Sequence, residues 1–158
     1  MAFALSDISL SSSAFAAHAN IPAKYTGDGE DVSPPLAFAQ VPAVAKSLAL
    51  FCHDPDAPLA KPGSYGFSHW VLYNLAADTR SLAEASNAGT AGINDFGNSG
   101  YNGPLPPNGH GNHHYYFWLL ALDADLKLPA GLTLEAFLAR AEPHIIAMNR
   151  LVGIYRRD

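Results

Sequence analysis

Strand-length apolar runs, separated by clusters of Gly, Pro, Asn and Asp, punctuate this chain. Ala45 to Cys52, with Leu48-Ala49-Leu50-Phe51-Cys52 at its heart, predicts a buried central strand. Phe67 to Leu75 predicts a second strand, with Trp70, Leu72 and Asn74 on one face and His69, Val71 and Tyr73 on the other. Tyr115 to Leu122 predicts a third, so apolar from Tyr116 to Leu120 that both faces should be covered. Ile8 to Ser12 alternates as an edge strand would, and Ile21 to Tyr25 is expected to be extended because residues before proline avoid the helical region. Residues 27–31 read as a turn, and Ser33 to Phe38 as a rigid segment that becomes strand-like. Pro58 to Tyr65 and Ala76 to Gly92 read as loops.

Asn94 to Asn112 is long, rich in Gly and Pro, and without a period. A stretch of this kind inside a compact domain is usually functional. The pattern then changes. Leu134, Phe137, Leu138 and Ala141 recur at helical spacing behind Thr133, a favourable N-cap. Pro143 should break that helix, His144 to Arg150 is expected to form a second helical stretch, and Leu151 to Tyr155 a final short strand. Strands first and helices last predict a mainly β domain of antiparallel sheets with short C-terminal helices, spanning 1–158 as a single domain.

Composition narrows the function classes. Apolar residues make up 49% of the 158 and charged residues 15%, which excludes a disordered chain. A formal charge of −5 leaves no basic footprint for nucleic acid. The single cysteine, Cys52, lies within the central strand, so no intramolecular disulfide is available and a buried, inert thiol is expected. No apolar run reaches the roughly 18 residues of a membrane span. The N-terminus has no basic region ahead of its apolar residues, which predicts a cytoplasmic protein.

Candidate chemistry gathers at strand ends. Asp54 and Asp56 follow the central strand, His69 opens the second, and His110, His113 and His114 lead into Tyr115 and the third. If these ends meet, they form a pocket of carboxylates, imidazoles and a phenol able to hold an anion. Each residue also has a simpler reading. Asp54 and Asp56 can terminate a strand by binding turn amides, and His69 can be a satisfied, half-buried histidine. A metal site is not expected, because His113 and His114 would point to opposite faces of an extended strand. Gly97-Asn98-Ser99-Gly100 falls short of a nucleophile elbow, and Gly109-His110-Gly111 opens no dinucleotide site, so neither a serine nucleophile nor a cofactor is expected.

Five motifs in order resemble the phosphatidylethanolamine-binding protein family, on its bacterial Raf kinase inhibitor-like branch. They are Tyr25-Thr26-x-Asp28-Gly29 with Ser33-Pro34-Pro35-Leu36, then Asp54-Pro55-Asp56-Ala57-Pro58, His69-Trp70-Val71-Leu72-Tyr73-Asn74-Leu75, Tyr101 to Pro107 with Gly111-x-His113-x-Tyr115, and Leu151 to Tyr155. The resemblance implies antiparallel sheets with Greek-key character and flanking helices. It implies a small pocket for phosphate, carboxylate or phosphorylethanolamine-like ligands. By motif that pocket is lined by Asp54, Ala57, Pro58, His69, Leu105, Pro107, His113 and Tyr115, with Ala57-Pro58 as a cis bond. A homodimer is implied as well.

Two positions depart from the family pattern. His114 stands where the family usually has Arg, so Asp56 and His114 are expected to form a pH-dependent supporting pair. Phe67 stands near a usual Trp, which keeps an apolar wall but loses a donor. The expected function is a small-anion-binding protein that modulates a partner protein of unknown identity. Two alternatives stay open: a protein inhibitor of a protease or kinase acting through the loops of 76–112, and a weak hydrolase using Asp54, His69 and His113.

Overall fold

The computed structural model describes residues 5–58 and 65–158. The expected loop from Pro58 to Tyr65 therefore falls largely outside the described residues. Among the described residues, eight strands and one α-helix follow in chain order: β1 (Ser9–Ser11), β2 (Leu36–Ala39), β3 (Ser47–Asp54), β4 (Phe67–Ala76), β5 (Ser81–Leu82), β6 (Thr90–Ala91), β7 (His113–Leu122), α1 (Leu134–Ala141) and β8 (Ile145–Tyr155). They build two antiparallel sheets, a larger one ordered β6-β4-β3-β7-β8 and a smaller one ordered β1-β2-β5. The chain crosses from β4 to the small sheet as β5, returns to the edge of the large sheet as β6, and then passes to the far side of β3 as β7.

Alternation along the central strands divides the interior in two. Leu48, Leu50 and Cys52 of β3 join Phe117 and Leu119 of β7, Leu10, Leu36 and Phe38 of the small sheet, and Phe15 and Ile21 in a core between the sheets. Ala49 and Phe51 point the other way, with Val71, Tyr73, Leu120 and Leu122, against Phe137 and Ala141 of α1. Cys52 is fully enclosed, and burial holds its thiol well above its ordinary pKa, as an inert core residue requires. The helix begins as its spacing predicts: the Thr133 side chain accepts from the Ala136 N–H at 3.1 Å. No helix among the described residues is long and apolar enough to cross a membrane.

Several expected elements differ. The second helical stretch is instead the first half of β8, which pairs with β7 from Leu122↔Ile145 to His113↔Tyr155. Ile145 to Arg150 carries no cap, and the open edge of β7 offers a full ladder of backbone partners, so pairing overrides weak helical spacing. Ile21 and Pro22 are extended as expected, but Ala23–Tyr25 closes into a 3-10 turn through Tyr25 N–H to the Pro22 carbonyl at 3.0 Å. The expected loop of 76–92 contains β5 and β6, each too short to leave a periodic signal. Tyr116 and Trp118 remain half-buried, so the α1-side cluster fully buries the outer face of β7 only at Leu120 and Leu122, with Trp118 packed at its edge.

Candidate functional site

Antiparallel pairing brings the chemistry together. β3 lies between β4 and β7, so its C-terminal end meets the N-terminal ends of both neighbours. Asp54, His69, His113 and Tyr115 thereby surround one point at that end of the large sheet. All four are almost completely enclosed, with 2%, 3%, 1% and 0% of their surfaces exposed.

His69 reaches this point because of a β-bulge. Cys52 pairs with Trp70 while His53 pairs with Ser68, which leaves His69 as the extra residue. Simple alternation places His69 opposite Trp70. The bulge instead turns both toward the inter-sheet side: His69 packs edge-on to Tyr115 with centroids 5.2 Å apart, and Trp70 packs on Tyr101 at 5.4 Å. A second irregularity, between Leu48 and Leu50, accompanies Asn74 in left-handed backbone conformation at φ 56°.

The polar groups form two sets. In the first, Asp54 Oδ1 accepts from the Asp56 N–H at 2.8 Å, closing the turn after β3. Its Oδ2 faces His113 Nδ1 at 2.6 Å, and His113 Nε2 lies 2.6 Å from His110 Nδ1. Asp54 thus serves both as the turn-former and as the site carboxylate that the sequence left as alternatives. In the second set, His69 Nδ1–H donates to the Asn102 carbonyl at 2.8 Å, because a carbonyl can only accept. That fixes the tautomer and leaves Nε2 as the acceptor of the neutral ring. Burial pushes the His69 pKa below its ordinary value, outweighing the Asn102 carbonyl and the Asp54 charge that pull it up. The Tyr115 hydroxyl is buried with no hydrogen-bond partner, and burial, then the Asp54 charge, drives its pKa far above the ordinary phenol value.

These groups line a cavity of about 210 Å³ whose remaining walls are Ala57, Pro58, Phe67, Phe96, Leu105, Pro106 and Pro107. All eight residues expected by motif to line a pocket lie on this cavity. The wall from Leu105 to Pro107 is held in place by Asp31, which sequence reasoning placed only in a turn. Its carboxylate accepts from Gly103 N–H at 2.6 Å and from Asn102 Nδ2 at 2.8 Å, and so fixes the carbonyl that orients His69. Asp31 adopts φ 59°, which Asp tolerates better than most residues. Gly103 permits the close approach, since a Cβ there would overlap the Tyr25 carbonyl. Phe96 also lay outside the expected lining. It packs edge-on to Phe67 at 4.7 Å and to His69 at 5.6 Å, closing an aromatic rim.

Asp56 and His114 lie outside the cavity. The Asp56 Oδ2 accepts from both the His114 N–H at 2.8 Å and His114 Nδ1 at 2.7 Å. Burial raises the Asp56 pKa, but the bonds to His114 outweigh it and hold the carboxyl below its ordinary value. One expectation is corrected: no cis peptide bond occurs among the described residues, so Ala57–Pro58 is trans, the isomer that X-Pro bonds prefer. The Asp54 turn closes on the Asp56 amide, ahead of Pro58, and needs no cis bond. His113 and His114 do point to opposite faces of β7, and no group of three His, Cys, Asp or Glu among the described residues is arranged for a metal ion.

Known proteins place this arrangement in a family. The family model described as phosphatidylethanolamine-binding protein matches residues 11–156. A UPF0098 protein of Methanothermobacter thermautotrophicus is 43% identical over 157 residues, covering 95% of this chain and 99% of that protein. A UPF0098 protein of Chlamydia trachomatis is 41% identical over 150 residues, covering 94% and 99%. Among solved structures, the phosphatidylethanolamine-binding protein homolog CT736 of Chlamydia trachomatis superposes with a TM-score of 0.89 at 40% identity, covering 96% of this chain and 98% of that one. Escherichia coli YbcL, described as a member of the mammalian family, shares the fold with a TM-score of 0.87 at 24% identity, covering 97% and 100%. The chain belongs to the phosphatidylethanolamine-binding protein family.

Proposed function

We propose that this protein is a binding protein whose cavity at the end of the large sheet takes a small phosphorylated or carboxylated ligand. The observation that carries the reading is the Tyr115 hydroxyl, a buried donor with no partner beside the buried imidazole of His69. Native interiors rarely leave such a group unpaired, and a ligand oxygen is the partner this position suits. The cavity, at about 210 Å³, is smaller than the roughly 300 Å³ at which pockets for drug-sized ligands begin. It suits phosphate, a small carboxylate or a phosphorylethanolamine headgroup.

Tyr115 donates its O–H to a ligand oxygen. The neutral His69 either accepts from a protonated ligand oxygen through Nε2 or takes up a proton as the anion arrives, because a nearby negative charge favours imidazolium. The Asp54 carboxyl group in the wall offers an acceptor to a ligand ammonium. The hydrolase alternative needs a free base among Asp54, His69 and His113 to activate water, and Asp54 and His113 are already bonded to each other at 2.6 Å.

Calorimetry with inorganic phosphate and with phosphorylethanolamine at about pH 6, where histidines titrate, tests the reading. Saturable heats are expected, and their size should depend on the ionisation heat of the buffer because protons are taken up. No heat with either compound, and no change in the imidazole resonances, would overturn it.

A further inference from the structure

In the resting chain His113 has no ring nitrogen left for a ligand. Nδ1 is held by Asp54 and Nε2 by His110, each at 2.6 Å. Yet His113 lines the cavity, whereas His110 does not. His110 is exposed, and its ring lies tilted against that of His113 with centroids 4.8 Å apart. Its neighbours are Gly109 and Gly111, both with positive φ and with open space where a Cβ would sit. The backbone beneath it is anchored, by Gly109 N–H to the Arg157 carbonyl at 2.8 Å and His110 N–H to the Pro107 carbonyl at 3.2 Å. The side chain can therefore leave by rotating about its own bonds, with no neighbouring Cβ in its way.

We propose that His110 is a displaceable cap on His113, which an anionic ligand must replace, so that His110 sets how the pocket's anion affinity varies with acidity. This rests on the anion-binding reading above. Two imidazole nitrogens at 2.6 Å need one proton between them, one ring donating and the other accepting. When both rings are protonated, two N–H groups face each other and the cap opens. His113, its Nδ1 still held by Asp54, then turns Nε2–H to the ligand. In alkali the cap stays closed and competes with the ligand.

The surroundings fit a cap governed by this one proton. Among the described residues, Asp54 faces His113 from β3, with the Asp56–His114 pair one position along β7. His69 from β4 and Tyr115 from β7 face the same cavity, and His53 lies further along β3. Tyr155 of β8 pairs across from His113, and Arg157 beyond it is neutralised by Asp28 at 3.1 Å. His110 is thus the exposed imidazole in direct contact with the buried Asp54–His113 pair.

The test measures inorganic phosphate affinity from about pH 5.5 to about pH 8, spanning the histidine range, in the native chain, His110→Ala and His110→Gln. At the alkaline end His110→Ala should bind roughly three- to tenfold tighter than native, because the competing hydrogen bond is gone. At the acid end the native chain should match or exceed it. His110→Gln, which does not titrate, should lose the acid-dependent gain. Imidazole nitrogen shifts should show His113 Nε2 released from His110 when phosphate is added. Parallel affinity curves for all three proteins would overturn the role of His110 and leave anion binding standing. No phosphate binding by any of the three would overturn both.

Discussion

The large sheet has a cavity on each face, and the two are chemically unlike although β3 and β7 feed both. At one end of the face that looks toward the small sheet, about 210 Å³ is bounded by Asp54, His69, His113 and Tyr115. Beneath α1, a larger space of about 320 Å³ is bounded by Phe51, Trp118, Leu120, Leu138, Ile145 and Met148, with Glu142 the one ionisable residue in its described lining. Phe51 stacks on Trp118 at 6.3 Å, and Arg150 lies over Trp118 at 5.5 Å. Among the described residues, no buried polar group lines the larger space. Volume therefore does not identify the site; buried polar groups held in fixed directions do. The same strands produce both because alternate residues face opposite sides.

If that division holds, substitutions on the two faces should separate stability from binding. The largest effect belongs to the helix-covered face. Phe137 is fully buried and stacks on Tyr73 at 5.3 Å. Phe137→Ala should cost about 3–5 kcal/mol of stability, read from urea unfolding, while phosphate affinity of the folded fraction stays near native. Next comes Gly103→Ala, whose Cβ would overlap the Tyr25 carbonyl. Displacing that wall should cost about 1–3 kcal/mol and, unlike Phe137→Ala, should also weaken phosphate binding roughly tenfold, measured by calorimetry. A Gly103→Ala protein that binds phosphate normally would show that the wall does not position the site.

A smaller effect appears in the pH dependence of stability. His69 has a folded pKa below its ordinary value of 6.5. The unfolded chain therefore binds the proton more readily, and the contribution of His69 is complete above about pH 6.5 and is lost as pH falls through the folded value. Tyr115 has the opposite sign: its pKa is raised, so stability declines as pH rises above the ordinary phenol value of 10.0. Urea midpoints across pH should fall at both ends. His69→Gln should flatten the acid limb, and an unchanged acid limb would place the titrating group elsewhere.

Long, strongly patterned segments were legible from the chain. β3, β4, β7 and α1 follow from apolar periodicity, and the convergence of Asp54, His69, His113 and Tyr115 follows from carboxylate and imidazole groups at strand ends. The rest depends on partners distant in sequence. Ile145 to Arg150 becomes strand because β7 has an open edge. His69 shares a face with Trp70 because of a bulge, which a period of two cannot reveal. Asp31 looks like a turn residue until folding brings it to Asn102 and Gly103, more than seventy positions away. His110 carries no apolar pattern, and only the fold shows its ring on His113.

The central claim is that the cavity at the end of the large sheet keeps a polar group unpaired for a ligand, and Tyr115→Phe tests it most directly. The substitution removes one oxygen that has no partner in the resting chain. The prediction is a protein at least as stable as native by urea unfolding, since no hydrogen bond is lost. Inorganic phosphate should bind it roughly tenfold more weakly or worse. Unchanged phosphate affinity, or a clear loss of stability in the ligand-free protein, would contradict the account.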